Sequence, residues 1–104
     1  MLEQLQQTLS ELGTAYRYFA APNASPPYMV WAEDSTNDLE ANNAHAEKAY
    51  QGTIDLYTKT ASEPLRESIP QALESIGAAY YLNSVQYESD TGLIHVEWVW
   101  EVLA

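Results

Sequence analysis

The sequence predicts an α+β fold: two helices packed on an antiparallel sheet of four to five strands, in a single domain spanning 1–104. Three observations carry this reading. Leucine and isoleucine recur at helical spacing in two separate stretches, one at the start of the chain and one past its middle. Several short runs rich in Tyr, Val, Ile and Trp lie between turn residues, as strands do. The last of them, LIHVEWVWEV (93–102), alternates strictly. It places Ile94, Val96, Trp98, Trp100 and Val102 on one face and His95, Glu97 and Glu101 on the other.

Each element follows from local chemistry. Leu2, Leu5, Leu9 and Leu12 keep helical spacing, and Gly13 follows where a helix C-terminus favours a residue tolerant of positive φ. TAYRYF (14–19) reads as a short aromatic strand. APNASPP (21–27) is turn chemistry whose paired prolines favour an extended exit. PYMVWAE (27–33) and GTIDLYT (52–58) read as the second and third strands. Between them the polar stretch is loop at its start, and LEANNAHAEKAY (39–50) has the composition of a short helix. A second helix is expected to begin near Ser62, with that hydroxyl as cap and Pro64 in the first turn. Leu65, Ile69, Leu73 and Ile76 form its buried stripe. Pro70 removes one backbone bond, so a kink or a restart capped by Ser68 and Gln71 is expected there. Gly77 ends the helix, AYYLNSVQYE (79–88) is a strand and SDTG (89–92) a turn.

One internal echo is visible. LSELGTAY (9–16) and LESIGAAY (73–80) share a pattern. Either both encode a helix end followed by a strand, or the chain holds two related helix–hairpin halves.

Composition excludes several function classes. Fifteen Asp and Glu oppose four Lys and Arg, a formal net charge of -11. Such a surface repels phosphate backbones, so sequence-specific nucleic-acid binding is not expected. With no cysteine there is no thiol nucleophile and no cysteine-based zinc site. The start, MLEQLQQTL, lacks the pattern of a signal peptide, and no apolar run is long enough to span a membrane, so a soluble intracellular product is expected.

The polar stretch WAEDSTNDLEANNAHAEK (31–48) gathers acids, amides and a histidine that could form a site. Asp34, Thr36, Asp38 and Glu40 alternate as the ligands of a calcium loop do. Counted from Asp34, however, the sixth and twelfth positions hold Leu39 and His45 where such a loop needs Gly and a carboxylate. No metal is expected there, and His45 with Glu47 is too sparse for zinc. His95 reads as a surface or interface histidine. No phosphate loop, nucleophile elbow or dinucleotide fingerprint is present, so no catalytic residue, no cofactor and no enzyme activity are expected. The surplus is aromatic: Tyr16, Tyr18, Tyr28, Trp31, Tyr50, Tyr57, Tyr80, Tyr81 and Tyr87 exceed what a small core buries. Tyr, Trp and Arg favour protein interfaces. Candidate interface residues are therefore Arg17, Tyr28, Trp31, Asp34, Asp38, Glu40, His45 and Tyr57, with Arg66 as a further anchor.

LGTAYRYFAAPNASPPYMVWAE (12–33) and IDLYTKTASEPLRESIPQALESIGAAYY (54–81), followed by the aromatic last strand, resemble small structural proteins of phages and prophages. The order of these segments is similar to that of tail terminator or tail-completion proteins, at the head–tail junction of long-tailed phages. The resemblance implies a virion structural protein that forms a homo-oligomeric ring, a hexamer, capping the tail tube. Its implied partners are the tail tube protein and the head connector or stopper protein. The implied location is the tail or neck of the virion, reached from the bacterial host cytoplasm during assembly. Ring closure requires a heterologous contact, and an acidic lumen would let DNA pass without sticking. Residues 34–48 would then face a partner or the lumen. The alternative is an acidic DNA mimic that inhibits a nuclease or repressor, or a small adaptor binding a host protein.

Overall fold

The computed structural model describes residues 1–38 and 48–103, with the side chains of 35–38 and 48 outside that description. The last strand, β5 (Leu93–Leu103), obeys its alternation: Val96, Trp98, Trp100 and Val102 are buried, and the residues between them are half-buried. Its neighbours are β3 (Lys48–Thr58) on one side and β4 (Ala79–Glu88) on the other, both antiparallel. Beyond β3 lie β2 (Tyr28–Asp38), antiparallel, and the short β1 (Ala15–Arg17). Among the described residues the sheet order is therefore β1-β2-β3-β5-β4. The predicted α+β architecture holds, with one exception to its antiparallel pairing: β1 runs parallel to β2.

Two helices, α1 (Leu2–Leu12) and α2 (Leu65–Ser75), cover one face of this sheet. Leu5 and Leu9 from the first, and Leu65, Ile69 and Leu73 from the second, join Met29, Trp31, Ile54, Leu56, Val96, Trp98 and Trp100 in one core. The Trp31 indole N–H donates to Gln6 Oε1 at 2.5 Å, pinning β2 to α1. The indole N–H of Trp100 is buried with no partner among the described residues, and we have no physical account of it.

Gly52 makes the tryptophan core possible. It pairs with Glu33 on β2 and with Trp100 on β5. A Cβ there would stand 1.9 Å from the Ala32 carbonyl oxygen and 2.7 Å from the Trp100 ring. The strand next to it carries a bulge between Glu33 and Ser35, a one-residue insertion that bends the pair at the same level. With Gly52 bare, Trp31 and Trp100 approach to 6.3 Å between ring centroids, tilted by 56°.

Several sequence expectations need correction. Gly13 has φ 167, extended backbone rather than the left-handed form, while Gly77 at φ 76 does supply the left-handed helix end. The positive φ near the first strand falls instead on Tyr18, at φ 75. The second and third strands are longer than expected: residues 34–38 are strand, not loop, and Lys48, Ala49 and Tyr50 are strand, not helix. The physical reason is the bulge, which absorbs Asp34 and lets the ladder resume from Ser35 with Gln51 to Asp38 with Lys48. The rest of the expected helix, 39–47, lies outside the described residues.

Helix α2 starts at Leu65, without a Ser62 cap; the Glu63 carboxylate instead accepts from the Leu65 N–H at 3.2 Å. It runs unbroken past Pro70, and Ser68 donates back to the Pro64 carbonyl at 3.2 Å rather than capping a restart. Proline removes one bond, but Leu65, Ile69, Ala72 and Leu73 bury both turns around it. The internal echo is helix-end chemistry only: β1 pairs in parallel and β4 antiparallel, so the halves are not equivalent.

Two substitutions test this packing. Trp98→Ala should cost about 3–5 kcal/mol, the range for removing a buried ring. Gly52→Ala should cost at least about 1–3 kcal/mol through overpacking, more than an ordinary strand Gly→Ala change. Denaturant unfolding monitored by far-UV circular dichroism checks both; a near-neutral Gly52→Ala would show that β3 can move away from Trp100.

Candidate functional site

The helices leave the other face of the sheet open, and the register decides what stands on it. Tyr28, Tyr57 and His95 are directly paired across β2, β3 and β5, and Tyr16 reaches them from β1. Their rings form a ladder across the strands: Tyr16 meets Tyr28 edge-on at 6.1 Å, Tyr28 stacks on Tyr57 at 5.1 Å, and Tyr57 stacks on His95 at 4.5 Å. Such cross-strand rings stabilise the pairing while keeping polar tips toward solvent.

One step along the same face, Asp55 of β3 is paired with Glu97 of β5. Asp55 Oδ1 lies 2.6 Å from His95 Nε2, and Glu88 Oε2 lies 3.4 Å from His95 Nδ1. Thr53 Oγ1 donates to Asp55 Oδ2 at 3.4 Å, and Asn83, at the β4 bulge, donates to Glu97 at 2.7 Å. Asp55, His95 and Glu97 each present one ligand-type atom, all within 4.8 Å of one another, so these residues have the donor set to hold a cation. Burial is the main influence on Asp55; the His95 hydrogen bond opposes it and Glu97 reinforces it, leaving the carboxyl raised from 3.8 to about 6. Burial, helped by the charges of Asp55 and Glu88, pushes the Tyr57 phenol up to about 12.

At the β1 edge lies a second polar group. Arg17 grips Glu33 through two nitrogens, at 3.3 and 2.5 Å, and Tyr18 donates to the same carboxylate at 2.8 Å. Burial would raise the Glu33 carboxyl, but these hydrogen bonds and the arginine charge hold it below its usual range. The Arg17 guanidinium also sits 4.8 Å over the Trp31 ring. The non-glycine left-handed backbone of Tyr18 costs about 1–3 kcal/mol. Its N–H donates to the Trp31 carbonyl at 2.8 Å, which extends the parallel pairing by one bond.

The third feature is apolar. The register puts Leu82 opposite Trp98, Val85 opposite Val96 and Tyr87 opposite Ile94, all on the helix-side face. The helices do not reach that far, so Leu82 is 50%, Val85 45% and Tyr87 68% exposed. Tyr81, on the open face of the same edge strand, is exposed as well. At the opposite edge Tyr18 and Phe19 are exposed, Phe19 to 78%.

The expected interface residues are dispersed by this arrangement. Tyr28 and Tyr57 share the ring ladder, and Arg17 and Asp34 are exposed near the β1 edge and the β2 bulge. Trp31 is a correction: it has no exposed surface, because its register opposite Ile54 turns the ring to the helix side and its N–H bonds Gln6, so it serves packing rather than an interface. Asp38 ends β2, with its side chain outside the described residues, as are Glu40 and His45 entirely. Sequence reading missed Asp55 as the partner of His95, since the two are 40 residues apart. The polar side of the strand alternation in IDLY was the only signal.

No protein-family model matches the chain, and no curated protein matches it. Among solved structures, the chain is similar to a chain of the structure described as "Virion of native gene transfer agent (GTA) particle". The TM-score is 0.54 at 12% sequence identity, over 98% of this chain and 89% of that one. The likeness is one of fold. It spans every element described above, and the neighbour belongs to a virion.

The Asp55 environment predicts a pH dependence. The folded chain holds this proton more tightly than the unfolded chain, so its contribution to stability is complete below 3.8 and is lost as pH rises through about 6. The groups facing it are His95 and Glu97, with Tyr57 and Glu88 around the imidazole. Unfolding free energies across a pH series should therefore show Asp55→Asn gaining on the wild type as pH rises through that window. Parallel profiles for the two proteins would remove the assignment.

Proposed function

We propose that this chain is a virion structural protein that joins copies of itself into a ring at the head–tail junction of a long-tailed phage or prophage particle, as a tail terminator or tail-completion component, and that it is not an enzyme. The observation that carries the proposal is the pair of uncovered apolar edges. Leu82, Val85 and Tyr87 stand on β4 at one edge of the sheet, and Tyr18 and Phe19 stand beside β1 at the other. An edge that meets a different edge on the next copy makes a heterologous contact, and such contacts close into rings when the rotation per copy allows it. Exposed aromatic and aliphatic side chains gathered at a sheet edge are what such a contact buries.

The fold-level likeness to a virion chain and the order of the sequence motifs support the same reading. A hexameric ring would present one rim to the tail tube and the other to the head connector or stopper. The charge of -11 is consistent with a channel through which DNA moves without being held. It also makes acidic copies repel one another, so the free protein is expected to be monomeric in dilute, low-salt buffer.

Light scattering across salt and protein concentration tests the proposal. Association should rise with salt, as the Debye length falls to about 3 Å at 1 M. Leu82→Asp combined with Val85→Asp should abolish it, and should also abolish capping of assembled tail tubes seen by electron microscopy. Gln71→Glu, on the exposed side of α2, should leave both intact. A protein that stays monomeric throughout, ignores tubes and binds a nuclease tightly would instead be the acidic inhibitor.

A further inference from the structure

We propose that Asp55, His95 and Glu97 form a binding site for a divalent cation of the zinc class on the open face of the sheet. The inference does not depend on ring assembly. It begins with placement. The ligand-bearing residues sit on adjacent antiparallel strands, β3 and β5, in the middle of the sheet rather than on a loop, and Asp55 and Glu97 are register partners. Strand scaffolds hold ligands more closely than loops do. All three residues are half-buried, so their side chains are confined while one side of the cluster stays open to solvent.

The distances fit. The three ligand atoms lie within 4.8 Å of one another, and the closest pair, His95 Nε2 and Asp55 Oδ1, are 2.6 Å apart. Zinc bonds of about 2.0–2.1 Å in a tetrahedron hold ligand atoms about 3.3 Å apart. Binding therefore replaces the hydrogen bond between Asp55 and His95 by two metal bonds, with side-chain shifts on the order of 1 Å. The proton on Nε2, where that tautomer is present, moves to Nδ1 or to solvent as the ion binds. Three protein ligands leave the fourth position to water.

The surroundings are those of a supported ligand. His95 Nδ1 faces Glu88 Oε2 at 3.4 Å, so Glu88 is placed to accept from Nδ1–H once Nε2 coordinates the ion. Tyr57, stacked at 4.5 Å, fixes the plane of the imidazole. Thr53 and Asn83 hold the second oxygen of Asp55 and one oxygen of Glu97. Three carboxylates therefore surround one imidazole, and the ion pairs within the group are those to His95. A divalent cation relieves that repulsion. The imidazole selects the ion: calcium and magnesium take oxygen ligands, whereas zinc, cobalt and nickel accept nitrogen with carboxylate.

Calorimetric titration of chelator-treated, buffer-exchanged protein with zinc tests the site, with cobalt as a coloured substitute. A single ion per chain is expected. His95→Gln and Asp55→Asn should each weaken it at least about tenfold, and Glu88→Gln by about 10–100-fold, the range for residues that orient a ligand. His45→Ala should leave it unchanged, and excess calcium should not displace it. Nitrogen-edited NMR of the wild-type imidazoles gives a readout independent of variant folding: zinc should shift the His95 Nε2 resonance and not that of His45. Weak multi-ion binding insensitive to His95→Gln would overturn the proposal. So would an unshifted His95 resonance at millimolar zinc, or binding that His45→Ala removes.

Discussion

The absence of a side chain at Gly52 is the constraint on which this fold turns. Trp31 on β2 and Trp100 on β5 are separated by the central strand β3, and their rings meet only because nothing projects from β3 at that level. The two indoles then form the floor on which α1 and α2 rest their leucines. The same close passage of β2 over Gly52 coincides with the β2 bulge, so backbone shape and core packing are set at a single position. A small domain with one core has little redundancy, and loosening this contact would loosen both helices at once.

Building the core on one face has a consequence for the other. The alternation that buries Val96, Trp98, Trp100 and Val102 obliges His95, Glu97 and Glu101 to stand opposite, and the β3 register brings Tyr57 and Asp55 beside them. The open face is thus not a random polar surface. It is an ordered row of rings flanked by carboxylates, fixed by backbone hydrogen bonds that the core has already paid to form. The edges behave differently. Two helices of 11 residues each do not span five strands, and the uncovered remainder falls on β4. Apolar residues persist there, although water alone would favour polar ones.

Much of the architecture was legible in the sequence because it rests on short-range patterns. The alternation of 93–102, the leucine spacing of 2–12 and the turn before Leu93 each contain their own information, and each element appears where the pattern puts it. What was not legible depends on partners distant in sequence. The polar residues 34–38 read as loop because their side chains lack apolar alternation, yet β3 supplies the hydrogen bonds that make them strand. Pro70 reads as a break because its local cost is visible, whereas the sheet against which Ile69 and Leu73 offset that cost is assembled from distant segments. Trp31 reads as an interface residue because aromatic surplus is counted without knowing that Gly52 makes room. The Asp55–His95 contact was hidden for the same reason: nothing in either local segment points to the other.

The partition of aromatic residues also gives the molecule two separate optical reporters. Trp31, Trp98 and Trp100 all lie within the core, whereas Tyr18, Tyr81 and Tyr87 are exposed at the two edges of the sheet. Tryptophan emission therefore follows whether the chain is folded and is nearly blind to what touches its outside. Tyrosine absorbance responds to the dryness of the edges through these exposed rings, over a background from the half-buried Tyr16, Tyr28, Tyr50, Tyr57 and Tyr80. In a mixture of free and associated chains, the two signals separate folding from encounter without any label being attached.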